Sequence, residues 1–499
     1  MSSFYGLEIA KTGLYVSQKG MNLAGHNIAN ADTAGYTRQR LSLVSVVPGA
    51  LTARYLPLAN GAVGKGVNVD AVEQLRNAYV DRALRSEYSG LGQWTTRAEE
   101  MNYMESLFQS LLSENDKASL ASCLSNFFDS VQELSKDPVS KEIRTNMQQS
   151  AITLTQTFNH YYKQLTDLRN QMNDSIQVTT NRINEITKSI ADYNLSIETY
   201  ELSGENANDL RDKRNLLLDE LSTLVDMEYS TNSQGQLSVT IAGNTVVNHG
   251  ASTDLKVKAD ADGFYSVHLT DAAETQVNYT NGKLAGYKQL RDGSTADDIG
   301  IPYMIEGLNN LVRGIAKQFN DIHKTGWTMP HDSVASQTGV YLFDVAVVGG
   351  VEDYSSITAG NFKISDAVLN DVYKIAASSK EIDLSSTAPE TKNADIALLL
   401  AGLGTSSAVM ANTSFEGFLK NLAVELGVAS SHCTNMLTSQ QALVANLETR
   451  KESVSGVSVD EEIIQLMKFQ HMYNASSRII NAIDEALDKL INGTGMVGR

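Results

Sequence analysis

The sequence predicts an elongated α+β protein of several domains: terminal coiled-coil helices, a helical rod domain and a β-rich outer insert domain. Three patterns favour this class. Apolar residues alternate at spacings of three and four at both chain ends, a longer run of the same kind joins Phe158 to Tyr200, and β-prone runs follow residue 230. The 499 residues contain six prolines, so long helices are permitted.

The first and last segments both have the spacing of a coiled-coil seam. In the first segment the repeating residues are Leu7, Ala10, Leu14, Ser17, Met21, Ala24 and Ile28. In the last segment they are Leu466, Phe469, Tyr473, Ser476, Ile480, Ile483, Leu487 and Leu490. We therefore expect two amphipathic helices that pack together as a terminal coiled-coil assembly domain, formed by residues 1–36 and 456–499.

A polar turn follows the first helix, in the sequence HNIANADTAGYTR from residue 26 to residue 38. Asn27, Asn30 and Gly35 are predicted to end the helix, because asparagine and glycine tolerate the left-handed backbone of a helix terminus. The next residues, TRQRLSLVSVV, alternate as a strand would. Turn and strand are expected to form a spoke that sets the angle between the terminal helices and the body.

The body is expected to combine a long helical rod with β structure. At about 1.5 Å per residue, the helix from Phe158 to Tyr200 would be about 65 Å long. Asp-Gly at 262–263 and Asn-Gly at 281–282 lie between short β-prone runs and predict hairpins. A helical rod domain with the N-terminal spoke is assigned to residues 37–230, 300–330 and 410–455. A β-rich outer domain is assigned to residues 231–299 and 331–409.

Charge and composition exclude several classes of partner. The formal net charge is −18, which argues against binding to nucleic acid or to an anionic membrane surface. No run approaches the roughly 18 apolar residues of a membrane span, and the first residues lack a cleavable signal pattern. If the protein leaves the cell, we expect a route that reads an uncleaved terminus. Cys123 and Cys433 are interpreted as buried small hydrophobic residues.

No catalytic, cofactor-binding or metal-binding set is predicted, and we expect a protein that is not an enzyme. His323, His331 and Asp332 form the only local cluster, and a capped helix end with its loop explains them better than a metal site, which needs three or four convergent ligands. His432 and Cys433 are neighbours on a predicted helix, so their side chains point about 100° apart.

The segment from residue 26 to residue 38 resembles the N-terminal signature of the axial proteins of the bacterial flagellum, with His26 and Ala34 in place of Asn and Pro. A second block, GKGVNVDAVEQLRNAYVDRALRSE, is similar to the next block of that family. Further blocks include ANDLRDKRNLLLDELSTLV, where Asn215 replaces the usual Asp, and the C-terminal ESVSGVSVDEEIIQLMKFQHMYNASSRIINAIDEALDKLIN. They follow one another along nearly all of the chain and narrow the resemblance to the hook-associated members.

The resemblance implies a structural subunit of the extracellular flagellum, exported by the type III apparatus, that joins hook to filament through its paired terminal helices. The implied partners are the hook protein, the second hook-filament junction protein, copies of the chain itself in a ring or helix, and a cytoplasmic export chaperone at the C-terminal helix. The residues assigned to assembly are Leu7, Leu14, Met21, Asn27, Ile28, Asn30, Gly35, Tyr36, Arg38, Leu466, Phe469, Tyr473, Ile480, Ile483, Leu487 and Leu490.

Two alternatives remain open at this point. The first is the hook protein or another axial subunit, against which stand the long helices predicted over 100–225 and 411–455. The second is a secreted peptidoglycan hydrolase with axial-protein ends, which would need two carboxylates converging across a cleft. The acidic residues of 331–400 are instead spread through Ser/Thr/Gly-rich sequence, as on a solvated face.

Overall fold

The computed structural model describes residues 3–46, 64–113, 116, 118–232, 235–332, 334–382, 392–407, 409–410 and 412–493. Long helices dominate these residues, and small antiparallel sheets accompany them, which confirms the predicted elongated α+β class. The end of the predicted spoke strand, Val47, lies outside the described residues.

The helices follow from apolar periodicity and from caps. Asn77, Ser119, Ser140 and Ser414 each precede a helix and accept a backbone N–H of its first turn. The α-helices of the described residues are α1 (Ser3–Ala29), α2 (Ala78–Leu112), α3 (Leu120–Lys136), α4 (Lys141–Glu201), α5 (Asn208–Leu224), α6 (Lys283–Asp292), α7 (Ile301–His323), α8 (Asp366–Asn370), α9 (Asp395–Gly402), α10 (Phe415–Ser455) and α11 (Val459–Gly493). The helix predicted from Phe158 to Tyr200 is confirmed, since both residues lie within α4.

The strands pair antiparallel in separate sheets. β1 pairs with β2, β3 to β6 form one four-stranded sheet in sequence order, and β7 pairs with β8, β9 with β10, and β11 with β12. Their bounds are β1 (Gln39–Ser45), β2 (Val67–Gln74), β3 (Met227–Thr231), β4 (Leu237–Ile241), β5 (Asn244–Asn248), β6 (Ala251–Ser252), β7 (Leu255–Ala259), β8 (Tyr265–Leu269), β9 (Ser294–Thr295), β10 (Asp298–Ile299), β11 (Ala346–Val348) and β12 (Val351–Asp353).

Two hydrophobic cores share α4, whose 61 residues extend over about 90 Å. The first core joins α2, α3, α7 and α10 to the first half of α4, with Phe127 packed 5.1 Å from Phe319 between ring centroids. The second core lies along the second half of α4, where Ile183 and Ile190 cluster with side chains of α5, α6 and strands β4, β5, β7 and β8. One helix therefore carries both halves of the body.

The segments 231–299 and 331–409, which we assigned to a β-rich outer domain, contribute to different cores. Strands of the first segment pack in the second core, whereas Val340, Phe343 and Phe362 of the second segment are buried in the first core. Only β11 and β12 provide strands among the described residues of 331–409. The Ser/Thr/Gly-rich sequence there forms side-chain-capped turns and short helices, which satisfy backbone groups locally instead of through ladders.

The terminal unit, which we define as α1, α11 and the β1–β2 ribbon, lies outside both cores. α1 packs lengthwise against α11 and also contacts β1 and β2. Among the described residues, neither core includes a side chain from these four elements. The terminal unit and the body therefore bury their apolar surfaces separately.

We expect a chain limited to residues 76–455 to fold without the terminal unit, because domains with separate cores fold independently. It should melt cooperatively, with a midpoint within about 5 °C of that of the full chain. Differential scanning calorimetry of both proteins provides the measurement. Loss of a cooperative transition would show that the body depends on its ends.

His323 should make the first core sensitive to acid. Its ring is fully buried, Nδ1 donates to the Val340 carbonyl at 2.7 Å, and Nε2 accepts the Ala376 N–H at 2.8 Å, an arrangement that only the neutral ring allows. Burial, together with the nearby Arg144, lowers the pKa of His323 from 6.5 to about 4.

The folded protein therefore binds fewer protons here than the unfolded chain between pH 6.5 and pH 4. The contribution of His323 to the free energy of unfolding is fully present above pH 6.5. It decreases as the pH drops through this window, by about 3 kcal/mol at most. Urea unfolding at pH 7.5, 5.5 and 4.5 measures the loss. In a His323→Gln variant, which is expected to be less stable at neutral pH, this part of the pH dependence should disappear, and an unchanged slope would contradict the assignment.

Candidate assembly surface at the chain ends

α1 and α11 run antiparallel in a register set by small residues. A Cβ added at Gly6, Gly13 or Gly20 would lie 3.2, 2.8 or 2.5 Å from a side-chain atom of α11. Each step of seven residues forward on α1 matches a step of seven residues backward on α11. The facing pairs are Gly6 with Ile483, Gly13 with Ser476, Gly20 with Phe469, and Asn27 with Glu462.

This contact line differs from the predicted seam on α1. Of the predicted seam, Ala10, Ser17 and Ala24 are buried, but the larger members are only half-buried and lie one position beyond Gly6, Gly13, Gly20 and Asn27. Those larger members are Leu7, Leu14, Met21 and Ile28. Helices approach most closely where side chains are smallest, so the glycines and alanines of α1 receive the larger side chains of α11.

The α11 half of the predicted seam faces α1 but stays partly open to solvent. Its residues from Leu466 to Leu487 are half-buried, and Leu490 is 56% exposed. Ile464 and Ile479 are also more than half exposed on other faces of α11. The pair thus leaves substantial apolar surface uncovered, as surfaces that bind a further protein do.

Asn27 connects three elements at the base of this pair, and it does so from within α1. Its side chain is 1% exposed and makes four hydrogen bonds. Nδ2 donates to the Gln39 carbonyl at 2.9 Å and to Glu462 Oε2 at 3.0 Å. Oδ1 accepts from the Tyr36 hydroxyl at 2.7 Å and from the Gln39 N–H at 3.2 Å. The prediction that Asn27 ends the helix is therefore wrong, because its amide is used to tie α1 to β1 and α11.

The other predicted turn residues close the same connection. α1 ends at Ala29, and Asn30 caps it by donating from Nδ2 to the His26 carbonyl at 3.0 Å. Gly35 has φ of +79°, the left-handed conformation expected there. His26 lies with Nδ1 3.0 Å from the Tyr36 hydroxyl, so the substituted residue of the motif takes part in the turn. Ala34 is exposed.

Arg38 joins the turn to α11. Its guanidinium donates to Glu462 Oε1 and to Glu461 Oε2, both at 2.7 Å, and its backbone N–H donates to the Ser455 carbonyl at 2.9 Å. Burial raises the pKa of Tyr36, and the nearby carboxylates add to this effect. The Tyr36 hydroxyl therefore stays protonated and keeps its bond to Asn27.

Asp212 of α5 fixes this connection to the body. Its carboxylate accepts the Thr37 N–H at 3.0 Å, the Thr37 hydroxyl at 2.6 Å and Gln74 Nε2 at 2.8 Å, and it lies 3.5 Å from Arg76. Burial raises the pKa of Asp212, although Thr37 and Arg76 act in the opposite direction. We define the polar joint by the residues that make these contacts: Asn27, Tyr36, Thr37, Arg38, Gln39, Gln74, Arg76, Asp212 and Glu462.

Comparison with known proteins matches two parts of the chain to family models. The model described as "Flagellar hook-associated protein FlgK helical domain" matches residues 106–343, and "Flagellar basal body rod FlgEFG protein C-terminal" matches residues 452–493. The flagellar hook-associated protein 1 of Bacillus subtilis (strain 168) is 28% identical over 523 residues, which cover 100% of both chains. That of Escherichia coli (strain K12) is 25% identical over 566 residues, with 97% of this chain and 98% of the relative covered.

Over nearly its whole length, the chain is similar to flagellar hook-associated protein 1. It is a structural subunit of the flagellum. A solved structure, that of the flagellar hook junction protein FlgK from Burkholderia pseudomallei, aligns with a TM-score of 0.61 at 15% identity and covers 75% of this chain and 100% of its own. This likeness shows that the fold is shared.

Several residues of this hook-associated protein 1 relative were missed by sequence reasoning. Thr37, Gln39, Gln74, Arg76, Asp212 and Glu462 complete the polar joint, although only Asn27, Tyr36 and Arg38 of that joint were predicted. Thr37 lies within the motif and Gln39 directly follows it, so both could have been included. Asp212 belongs to the DLRDKRN block, but its partner Thr37 is 175 residues away, so nothing local indicates the contact.

The remaining candidates for chemistry are explained by packing. Cys123 and Cys433 are buried in the first core. His331 stacks on Tyr373 with ring centroids 4.4 Å apart and lies 3.2 Å from Asp371. Across the part of the chain that the structure describes, no three His, Cys, Asp or Glu side chains form a metal-binding group, and no helix is long and apolar enough to cross a membrane.

Proposed function

We propose that the chain joins the hook to the filament outside the cell, and that its α1–α11 pair is the surface through which it assembles. The observation that carries the proposal is the position of this pair, which lies outside both cores and leaves its apolar seam half-exposed. Its role is structural and involves no catalysis.

Burial of the exposed seam supplies the driving force for assembly. Side chains such as Ile464, Ile479 and Leu490 are 51–59% exposed, so full covering would contribute about 1 kcal/mol each, roughly half of the value for a fully exposed side chain. Copies of the same chain, arranged side by side in a ring or helix, would cover one another in this way. The hook protein on one side and the second junction protein on the other would continue the packing.

The three-part domain assignment is proposed here in a modified form. Residues 1–36 and 456–499 form the assembly domain, with the β1–β2 ribbon packed beside α1. The helical rod carries the polar joint at one end and residues 231–299 along the second half of α4. Residues 331–409 belong with the first core. In this arrangement the joint sets the angle between the assembly domain and the rod.

The same apolar surface of α11 must be covered before export. A cytoplasmic chaperone that binds the C-terminal helix would fit its exposed Ile464, Met467 and Ile479, because isolated apolar helices tend to aggregate. Release of the chaperone at the export apparatus would then free α11 for assembly.

Electron microscopy of flagella from a strain that lacks this gene tests the proposal. We expect hooks without filaments, and we expect purified protein added to those hooks to restore junctions and filament attachment. Normally joined filaments in the deletion strain would overturn the proposed function.

A further inference from the structure

A groove of about 570 Å³ lies between α3, α9 and the start of α10, remote in sequence from the terminal helices. Its base is formed by the Leu124 and Phe128 side chains. The chain does not fill the space because four of its lining residues have small side chains or none: Ala121, Ala401, Gly402 and Gly404. At Gly404 an added Cβ would lie only 2.8 Å from the Phe128 ring. The groove is therefore a concave surface lined by small residues, with the Phe128 ring at its base.

One wall of the groove exposes large apolar side chains. Leu398, which lines the groove, is 64% exposed, and the adjacent Leu399 is 58% exposed. Two consecutive exposed leucines therefore lie beside the concave surface. Exposed apolar patches of this kind mark sites of protein interaction.

The charge of the groove restricts its partner. The lining residues include the carboxylates of Asp129 and Glu416 and no cation. Within the described residues, no Lys or Arg pairs with Asp129, whereas Glu416 is held by Lys420 at 2.6 Å. A segment with Lys or Arg beside its apolar residues would complement this rim.

The helical walls also restrict the mode of binding. The backbone groups of α3 and α9 are used within the helices, so these walls offer no strand edge for β-augmentation. Recognition must then use side chains, as when an amphipathic helix inserts its apolar face into a groove. The exposed hairpin β11–β12 of a second copy fits poorly, because Glu352 and Asp353 accompany its valines and would face the acidic rim.

We propose that this groove binds an amphipathic helix of another protein, with leucine-sized side chains on one face and Lys or Arg residues along both margins of that face. This interaction goes beyond the proposed role of the chain ends, since none of the groove residues belongs to the terminal unit or the polar joint.

A designed peptide provides the probe. A fluorescein-labelled peptide of sequence KLLKLLKKLLKLLK should bind the full chain at least tenfold more tightly than ELLELLEELLELLE, measured by fluorescence anisotropy at physiological salt. Leu398→Asp should weaken binding of the basic peptide at least tenfold. Leu443→Asp replaces a leucine of α10 that is 53% exposed elsewhere and should leave the affinity unchanged.

A charge reversal distinguishes binding of the peptide in the groove from general electrostatic attraction to an acidic protein. Asp129→Lys combined with Gln132→Lys changes two exposed lining residues and should reverse the preference, so that the acidic peptide binds more tightly. The proposal would be overturned if the Leu398 and Leu443 variants lost equal affinity for the basic peptide. It would also be overturned if the double variant still preferred the basic peptide to the acidic one. Self-association of the free chain that Leu398→Asp abolishes would overturn it as well, because the occupant would then be a second copy. Thermal melts of each variant verify folding.

Discussion

Replacement of Gly20 by valine is expected to abolish attachment of the protein to hooks while leaving its body folded. A Cβ at this position would lie 2.5 Å from the Phe469 ring, at the centre of the α1–α11 contact. Overpacking of this kind costs about 1–3 kcal/mol per site. This cost corresponds to roughly a 5- to 150-fold decrease in the equilibrium constant for pairing of α1 with α11. Purified protein added to isolated hooks, with junctions counted by electron microscopy, measures the effect.

Gly25 provides the matched control on the same helix. Nothing lies within 4 Å of a Cβ built at Gly25, and the change from glycine to valine has the same effect on helix propensity at both positions. Gly25→Val should therefore attach normally. If Gly20→Val attaches as efficiently as Gly25→Val, the glycine contact line is not part of the assembly surface. The body should melt like wild type in both variants, because neither residue contributes to its cores.

The second large effect is expected at Asp212, where alanine should release the terminal unit from the body. The substitution leaves the Thr37 N–H and Gln74 without their buried carboxylate, and it removes one of the two carboxylates beside Arg76, which keeps its ion pair with Asp81. Each buried group that loses its hydrogen-bond partner costs about 1–3 kcal/mol. Limited trypsin digestion should then cleave after Arg38 and Arg76 much faster than in wild type, and attachment to hooks should fall at least tenfold.

Asp209 separates this effect from a general loss of negative charge on α5. Its side chain is 64% exposed and accepts one hydrogen bond, from Gln39 Nε2 at 3.1 Å. Asp209→Ala should therefore cause little change in cleavage or attachment. Equal rates of trypsin cleavage in the two variants would show that Asp212 does not fix the joint.

Periodicity was sufficient to predict the helices that matter for assembly. The heptad spacings at both ends and the run from Phe158 to Tyr200 correspond to α1, α11 and α4, since burial of one helix face imposes a regular pattern. The register between α1 and α11 could not be predicted in the same way. It depends on Gly6, Gly13 and Gly20, and glycine has no hydrophobic signal although it decides how closely two helices approach.

Neither the contacts of the polar joint nor the packing of the segment 331–409 could be predicted from the sequence, and the reasons differ. Arg38 and Glu462 are separated by 424 residues, so no local pattern indicates their ion pair. In the segment 331–409, Val340, Phe343 and Phe362 reach the first core from turns, where burial follows no fixed spacing. The sequence of this segment indicated part of a β-rich outer domain with a solvated acidic face, and it gave no periodic signal for these buried contacts.

The pairing of Gly6 with Ile483 also controls the order of events during synthesis. α1 is synthesised before the body, but α11, the helix that covers its glycines, is synthesised after the body. Until then α1 has no partner, and closure of so long a loop also carries an entropic cost. A prematurely terminated chain can fold its cores yet cannot form the pair. If the pair assembles as we propose, chains truncated before α11 cannot join the growing structure, and no separate proofreading step is needed to exclude them.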